Sequence, residues 1–176
     1  NARLFAMQQY RDFLNREGDA IGIAGWSDFI TAGTYTRTQV VDAFLSSQEF
    51  AGFTAPVVRL YFAFFLRVPD YAGLVRSGLT LQALADFFAA SPEFTATYGA
   101  LDNAQYVTLL YGNVLGRAPD PAGLAGWVSL LNTTHTRGQV LLGFSESVEY
   151  QAAKFNEVYV TMMYVGMLRR SPEPGG

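Results

Sequence analysis

Apolar residues recur along the chain at the spacing of one face of an α-helix. In one stretch they fall at Val107, Leu110, Tyr111 and Val114, the i, i+3, i+4 and i+7 pattern of an amphipathic helix. The same spacing occurs in two further stretches, at Val57, Leu60, Tyr61 and Phe64 and at Val160, Met163, Tyr164 and Met167. The sequence lacks the apolar–polar alternation that is typical of strands. The pattern therefore predicts an all-α protein.

The residues between these stretches carry helix start and stop signals. Asp120, with Pro121 after it, has the chemistry of an N-cap followed by the first helical position. Thr36 and Thr136 each precede a glutamine by three residues, which predicts a capping box. The proline of the Arg-x-Pro-Asp sequence is expected to end the preceding helix. These signals predict short helices that are joined by tight turns.

The helices belong to an internal repeat of about 50 residues. Residues 14–26 and 115–127 align without a gap and share an arginine, an aspartate, a glycine and a tryptophan. Residues 39–50 and 139–150 align as a second block. Each repeat is expected to contain three to four short helices, packed into one compact or solenoid-like array. The predicted boundaries are repeat 1 at 1–54, a shortened repeat 2 at 55–101, repeat 3 at 102–153, and the start of a truncated repeat 4 at 154–176.

The composition excludes several classes of function. Half of the residues are hydrophobic, 15% are charged, and the formal net charge is −3, so no basic surplus exists for binding nucleic acid. The chain has no cysteine and one histidine, which excludes disulfides, thiolate metal sites and sites that need two histidines. Apolar runs are too short for a membrane-spanning helix. We expect no cofactor, no nucleic-acid partner and no membrane span.

The repeated arginine and acid, three residues apart, have two interpretations. In the favoured one the aspartate caps a helix, the arginine bonds the last carbonyls of the preceding helix, and the glycine allows close helix approach. In the alternative, the four Arg/acid corners line a surface that binds a glycan or an anion. The motif residues are Arg16, Asp19, Gly22, Trp26, Arg67, Asp70, Gly73, Arg117, Asp120, Gly123, Trp127 and Arg170.

The aromatic residues divide into two groups. Trp26 and Trp127 lie at helical spacing with other apolar residues, so we predict that they are core residues, although a tryptophan can also stack on a sugar ring. Four tyrosines lie in or near predicted loops or helix ends and are candidate contacts for carbohydrate or protein: Tyr35, Tyr71, Tyr98 and Tyr150.

The sequence offers little for metal binding or catalysis. Calcium requires several clustered oxygen ligands, whereas the motif aspartates stand nearly alone. Glu146 and Glu149 share a helix face, but both sit at the predicted cap Ser147, which explains them without chemistry. His135 lies in a polar turn with no second imidazole. We therefore predict no metal site and no enzymatic activity.

The motif Tyr-x-x-Val-Leu-Gly-Arg-x-Pro-Asp-x-x-Gly-Leu-x-x-Trp, followed after a spacer by Gln-Val-x-x-x-Phe-x-x-Ser-x-Glu-Phe, resembles the bacterial family called domain of unknown function 4214. The third copy, residues 106–151, matches nearly throughout, whereas the first departs from the pattern at Gly18 and Ile23 and the second lacks the tryptophan. The unit is also distantly similar to the helical linker domain of phycobilisomes, a scaffold. The resemblance implies a tandem helical domain of secreted or surface-associated bacterial proteins, and it carries over no catalytic residue.

Together these features predict a non-catalytic structural or adhesive helical repeat module at the bacterial cell surface. Its expected partners are other domains of the same protein or a surface partner. The alternative is a carbohydrate-binding module that recognises cell-surface or exopolysaccharide glycans. The apolar face of Val158 to Arg170 is expected to pack back on the third repeat or to mediate self-association with another chain.

Overall fold

A computed structural model describes residues 1–69 and 79–168. Within these ranges the chain contains helices and no strand, which confirms the predicted all-α class. None of the helices in this part of the chain is long and apolar enough to cross a membrane. Four motif or candidate residues, Asp70, Tyr71, Gly73 and Arg170, lie outside the described residues.

The helices are short and follow one another closely. The N-terminal part contains α1 (Ala2–Leu14), α2 (Ala20–Thr31) and α3 (Arg37–Leu45), and a π-helical segment (Phe50–Thr54) leads into α4 (Ala55–Phe65). The remaining helices are α5 (Leu81–Ala89), α6 (Pro92–Tyr98), α7 (Asn103–Leu115), α8 (Pro121–Thr133), α9 (Arg137–Ser145) and α10 (Val148–Met162), and α10 runs into a second π-helical segment (Met163–Met167).

Helix starts follow the sequence signals closely. The capping boxes predicted at Thr36 and Thr136 are both present, and in each the threonine oxygen accepts a hydrogen bond from the glutamine N–H three residues on. Ser47, rather than the neighbouring Ser46, caps the segment after α3, since its Oγ accepts from the Phe50 N–H at 3.1 Å. The short polar side chains therefore satisfy donors that a helix leaves unpaired at its start.

Helix ends differ from the prediction. The first helix of each of the first three repeats ends before the arginine, at a residue in the left-handed region: Asn15 (φ 52°), Leu66 (φ 51°) and Gly116 (φ 64°). After α1 and α7, the backbone N–H of the arginine donates to the carbonyl six residues back, at 3.3 and 3.4 Å. This is the geometry of a left-handed C-cap. The proline of the motif follows a helix that has already ended.

The described residues divide into two compact units. The first contains Asn1–Ala55, Pro69 and residues 158–168. The second contains Pro56–Val68 and the chain from residue 79 to Glu157. In terms of the predicted repeats, the first unit joins repeat 1 to the start of repeat 4, and the second unit joins repeats 2 and 3.

The second unit has a continuous aromatic and aliphatic core. Phe64 of α4 stacks on Phe94 of α6, with ring centroids 4.5 Å apart, and Tyr106 of α7 meets both rings edge-on. Helix α5 packs closely on α9, and Thr136 Oγ1 donates to Asp86 Oδ1 at 2.6 Å. Helix α5 of repeat 2 and helix α9 of repeat 3 therefore pack directly against each other.

Gly138 sets how closely α9 approaches α5. A Cβ at this position would lie 2.5 Å from the backbone nitrogen of Asp86 and 2.8 Å from the carbonyl carbon of Ala85. Both atoms belong to the backbone of α5, which cannot move away as a flexible side chain could. The small residue is therefore required by a close contact of helix backbones.

The first unit is held together by α1. This helix packs on α2, α3 and the π-helical segment Met163–Met167. On the C-terminal segment Val158, Met162 and Val165 are buried, and the Tyr159 hydroxyl donates to Asp42 Oδ1 of α3 at 3.3 Å. We expected this apolar face to pack on the third repeat or on another chain. It packs on the first repeat instead.

We expect Gly138→Ala to lower the free energy of unfolding by about 1–3 kcal/mol, because the added methyl group overpacks the contact with α5. Gly126→Ala is the matched control, since a Cβ there meets nothing within 4 Å and alanine favours the helix by up to about 1 kcal/mol. Chemical denaturation of both variants measures the two effects. Equal responses at the two positions would contradict the close contact.

Candidate functional site

The motif arginine of the first repeat joins the two ends of that repeat. Its guanidinium lies 4.9 Å above the centre of the Tyr10 ring. It also forms a bidentate ion pair with Glu49, in which Nη2 donates to Oε2 at 2.8 Å and Nε donates to Oε1. Glu49 lies 33 residues further along the chain. Arg16 therefore connects the turn after α1 to the segment after α3.

The same arrangement recurs in the second repeat. Arg67 Nε and Nη2 donate to the two carboxylate oxygens of Glu93 at 3.2 and 3.4 Å, and the guanidinium lies 5.1 Å above the Tyr61 ring. In the third repeat Arg117 lies 5.2 Å above Tyr111. Among residues 1–69 and 79–168, no carboxylate is within ion-pair distance of Arg117. The cation–ring contact thus occurs in three repeats and the ion pair in two.

These contacts replace the role that we expected for the arginines. The last carbonyls of α1 and α7 are bonded by backbone N–H groups, and Arg16 Nη1 donates instead to the carbonyl of Glu17 at 3.0 Å. The hydrogen bonds from Arg16 hold the pKa of the Glu49 carboxyl below its usual range. Both side chains are partly exposed, so a pair of this kind contributes about 0.2–1 kcal/mol. For Arg16 and Arg117, the expectation of side-chain bonds to the last helix carbonyls is wrong.

The motif aspartates cap the second helix of their repeats. Asp19 Oδ1 accepts from the Gly22 N–H at 2.8 Å, and Asp120 Oδ1 accepts from the Gly123 N–H at 2.9 Å. These backbone hydrogen bonds lower the pKa of both carboxyls, because they stabilise the charged form. A cap of this type stabilises the start of the helix, because it satisfies a backbone N–H that has no partner within the helix.

The motif glycines make room for the tyrosines that support the arginines. The hydroxyl oxygen of Tyr111 would lie 2.5 Å from a Cβ on Gly123, and the Tyr10 hydroxyl is placed in the same way against Gly22. A tyrosine stands six residues before the arginine in each of these repeats. The family resemblance places a tyrosine at this position of the motif, and Tyr111 was expected on a helix face, but the contact with the glycine was not predicted.

The two motif tryptophans lie at the edge of the core and are half-buried rather than buried. The Trp26 ring is 5.6 Å from Phe44, and the Trp127 ring is 5.1 Å from Phe144. Gly143 of α9 lies against the Trp127 ring. Each tryptophan thus packs its second helix onto its third helix and keeps part of its ring accessible to solvent.

In the first repeat, three aromatic residues form a surface that we call the aromatic cluster: Trp26, Phe29 and Tyr35. Their ring centroids are 5.5 to 6.0 Å apart. Phe29 is 45% exposed and Tyr35 is 38% exposed. The third repeat has Leu130 and His135 at the two corresponding positions. The aromatic cluster is therefore a feature of the first repeat and not of the repeated motif.

The other candidate tyrosines serve the fold. Tyr98 is half-buried, and its hydroxyl donates to the Phe64 carbonyl at 3.1 Å and accepts from Asn113 Nδ2 at 3.3 Å. Tyr150 is 1% exposed, so its selection as a contact residue is wrong. It stands three residues after the cap Ser147, whose Oγ accepts from its N–H at 3.2 Å, and it points into the core. Burial raises its pKa.

Ionisable groups do not converge on a reactive arrangement in the part of the chain that the structure describes. No group of three histidine or acidic side chains there could hold a metal ion. The most buried ion pair joins Arg59 of α4 to Glu146, with Nε donating to Oε1 at 3.0 Å. An open groove between Tyr98 and Asn113 is lined mainly by apolar atoms and has no carboxylate or histidine. The contacts of the motif residues described above lie within their own repeats.

These features define a class of helical repeat protein in which the motif residues organise the turns of each repeat. The chain belongs to the family described as domain of unknown function (DUF4214), whose model matches residues 2–53 and 85–155, well over half of the chain. This confirms the resemblance seen in the motif. No curated protein and no solved structure matches the chain.

Two fully buried tyrosines provide a paired test of the core. The Tyr150 hydroxyl has no hydrogen-bond partner, whereas the Tyr106 hydroxyl donates to the Arg137 carbonyl at 2.8 Å. We expect Tyr150→Phe to leave stability unchanged or raise it by about 1 kcal/mol, because it removes a buried polar group without a partner. Tyr106→Phe should lower stability by about 1 kcal/mol. Denaturation midpoints decide, and a loss at Tyr150 equal to that at Tyr106 would contradict the assignment.

Proposed function

We propose that this chain is a non-catalytic structural module of a secreted or surface-associated bacterial protein, where it holds attached parts of that protein together. The observation that carries the proposal is the packing of the C-terminal segment on α1 in the first unit. The two ends of the described chain belong to one compact unit. A module of this kind clamps its flanking segments side by side.

The state of the motif residues supports a structural role. The aspartates cap helices, the glycines accommodate tyrosines, and two of the three described arginines pair with glutamates of their own repeat. Residues that are occupied in this way are not free to bind a substrate. The repetition of the same contacts is what a helical array needs. An adhesive role at the cell surface rests on what the family resemblance implies.

The geometry of the first unit limits the distance between attached segments. Helix α1 has 13 residues and is therefore about 20 Å long. The π-helical segment lies against it, and packed helices are about 10 Å apart. The two ends of the described chain, at residues 1 and 168, therefore lie within about 30 Å of each other. This separation favours a clamp over an extended spacer.

Energy transfer between two dyes tests the clamp. The chain has no cysteine, so Leu4→Cys and Leu168→Cys, both at exposed positions, give specific labelling sites. We expect efficient transfer in the double variant. Adding Met162→Asp should abolish it, because the side chain is 1% exposed and a buried charge would force the segment off α1.

Phe155→Asp is the matched control for the clamp. Phe155 lies on the same helix but is 67% exposed, so the charge enters water and transfer should stay unchanged. Low transfer in the protein without Met162→Asp would rule out the proposed clamp. Equal transfer with and without Met162→Asp would show that the segment is held by something other than its apolar face.

A carbohydrate-binding function is the second candidate, and the aromatic cluster is the observation that favours it. Exposed rings that are fixed by their neighbours can stack on the apolar faces of sugars. The rings of Phe29 and Tyr35 are held 5.5 Å apart and are both accessible. Cell-surface or exopolysaccharide glycans are the ligand class that this surface would take.

A glycan-array screen of the purified chain separates the two candidates. If the aromatic cluster binds glycans, Tyr35→Ala should weaken a saturable signal several-fold, since it removes a stacking ring. Phe87→Ala is the control, because Phe87 is 47% exposed on α5 and lies outside the cluster. Absence of a signal in the folded protein, or equal loss in both variants, would leave only the structural function.

A further inference from the structure

The packing of repeat 2 on repeat 3 shows how two repeats of this family combine. Their first helices meet through Phe64 and Tyr106, whose rings are 6.3 Å apart. Their third helices, α5 and α9, meet through Gly138 and through the hydrogen bond from Thr136 to Asp86. In the second unit, the two repeats therefore pack through two pairs of corresponding helices, α4 with α7 and α5 with α9.

The first unit contains the first of these two helix pairs. The first helix of repeat 1 is α1, and it packs on Met163–Met167 from the first helix of repeat 4. Tyr159 occupies the position of Tyr106 in its repeat, and Asp42 occupies the position of Asp86. The hydrogen bond from Tyr159 to Asp42 thus joins the repeat positions of Tyr106 and Asp86. In the second unit these two residues bond to neighbouring residues of one turn, since Tyr106 donates to the Arg137 carbonyl and Thr136 donates to Asp86.

The surface of α3 differs from that of α5 and α9 in a consistent way. Tyr106 is fully buried beneath α9 and donates to its first carbonyl, whereas Tyr159 is only half-buried. Thr38 is exposed, whereas Gly138 at the corresponding position of α9 is buried. Asp42 is exposed, whereas Asp86 is half-buried. The α3 face, defined by Thr38, Asp42 and the neighbouring Tyr159, is more open than the equivalent surface in the second unit.

We propose that the α3 face is the docking site for a helix of the α9 type that is joined in cis to the fourth repeat. The proposal rests on the structural function proposed above, and it identifies the helix that would pack on α3 in the first unit. The threonine of such a helix would donate to Asp42 as Thr136 donates to Asp86. Its glycine would lie over the backbone of Val41 and Asp42, which corresponds to Ala85 and Asp86.

The motif that follows α10 favours a helix in cis over one from a second chain. Residues 170–176 align with residues 117–123 without a gap and share the arginine, both prolines, the acid and the final glycine. In repeat 3 the same motif leads through α8 into α9. The first helix of repeat 4 already lies on α1, so a third helix connected by this motif is delivered to the unit that contains α3.

The alignment also specifies the experiment. Residues 124–153, which complete repeat 3 after Gly123, are appended directly after Gly176, and the extended chain is compared with the 176-residue chain. We expect the thermal midpoint to rise by about 5 °C or more, because at least two side chains of leucine size become buried. Amide hydrogen exchange in α3 should slow by at least about tenfold.

Two control variants make the contact specific. Gly138→Leu in the appended copy alone should abolish both effects, since the native Gly138 remains and only the new contact is overpacked. Thr38→Arg should abolish them from the other side. In the 176-residue chain Thr38→Arg should shift the midpoint by no more than about 1–2 °C, because surface substitutions have small effects.

Unchanged exchange in α3, or a stabilisation that both control variants retain, would overturn the proposal. Protection of α3 that appears only in a dimer of the extended chain would overturn the cis assignment. The dye-labelled chain distinguishes this failure from failure of the structural function. Efficient transfer between Leu4→Cys and Leu168→Cys without docking keeps the clamp and rejects the site, whereas low transfer rejects the clamp itself.

Discussion

The contact between a tyrosine of the first helix and a glycine of the second is the constraint on which the turns of the first and third repeats depend. At Gly22 and Gly123 the tyrosine hydroxyl occupies the space that a side chain would need. The ring then supplies the surface on which the motif arginine lies. The motif aspartate, which lies between the arginine and the glycine in the sequence, caps the start of the second helix. Four residue types that look like a polar site in the sequence are therefore parts of one packed corner, and their repetition reflects a repeated geometry.

Both units contain this corner, but they are built from different parts of the chain. The second unit combines neighbouring repeats, and its core runs through α4, α5, α6, α7 and α9. The first unit combines the first repeat with the segment from Val158 onward. In both, the first helix of one repeat packs on the first helix of another. This packing of repeats on one another is the basis of the structural function proposed above.

The sequence was sufficient for features that depend on local chemistry. The helical class, the capping boxes at Thr36 and Thr136 and the family followed from side-chain type and spacing, because an amphipathic face and a cap are encoded within a few residues. Features that depend on the packed fold were not accessible. Leu66 adopts a left-handed conformation that leucine disfavours, and Tyr150 is buried although it lies just after a helix start. Helix α1, on which Met163–Met167 packs, lies more than a hundred residues earlier in the chain. No local signal encodes such contacts, since tertiary packing decides them.

The division of the chain between the two units has a consequence for the order of folding. The second unit draws on one region of the chain, from Pro56 to Glu157, so all of its partners are available once that region has been made. The first unit needs partners as far apart as Asp42 and Tyr159, which are 117 residues apart, and closing so long a loop carries an entropic cost before any contact forms. During synthesis the N-terminal helices therefore cannot complete the core of the first unit until the last described helical segment, which packs on α1, has been made.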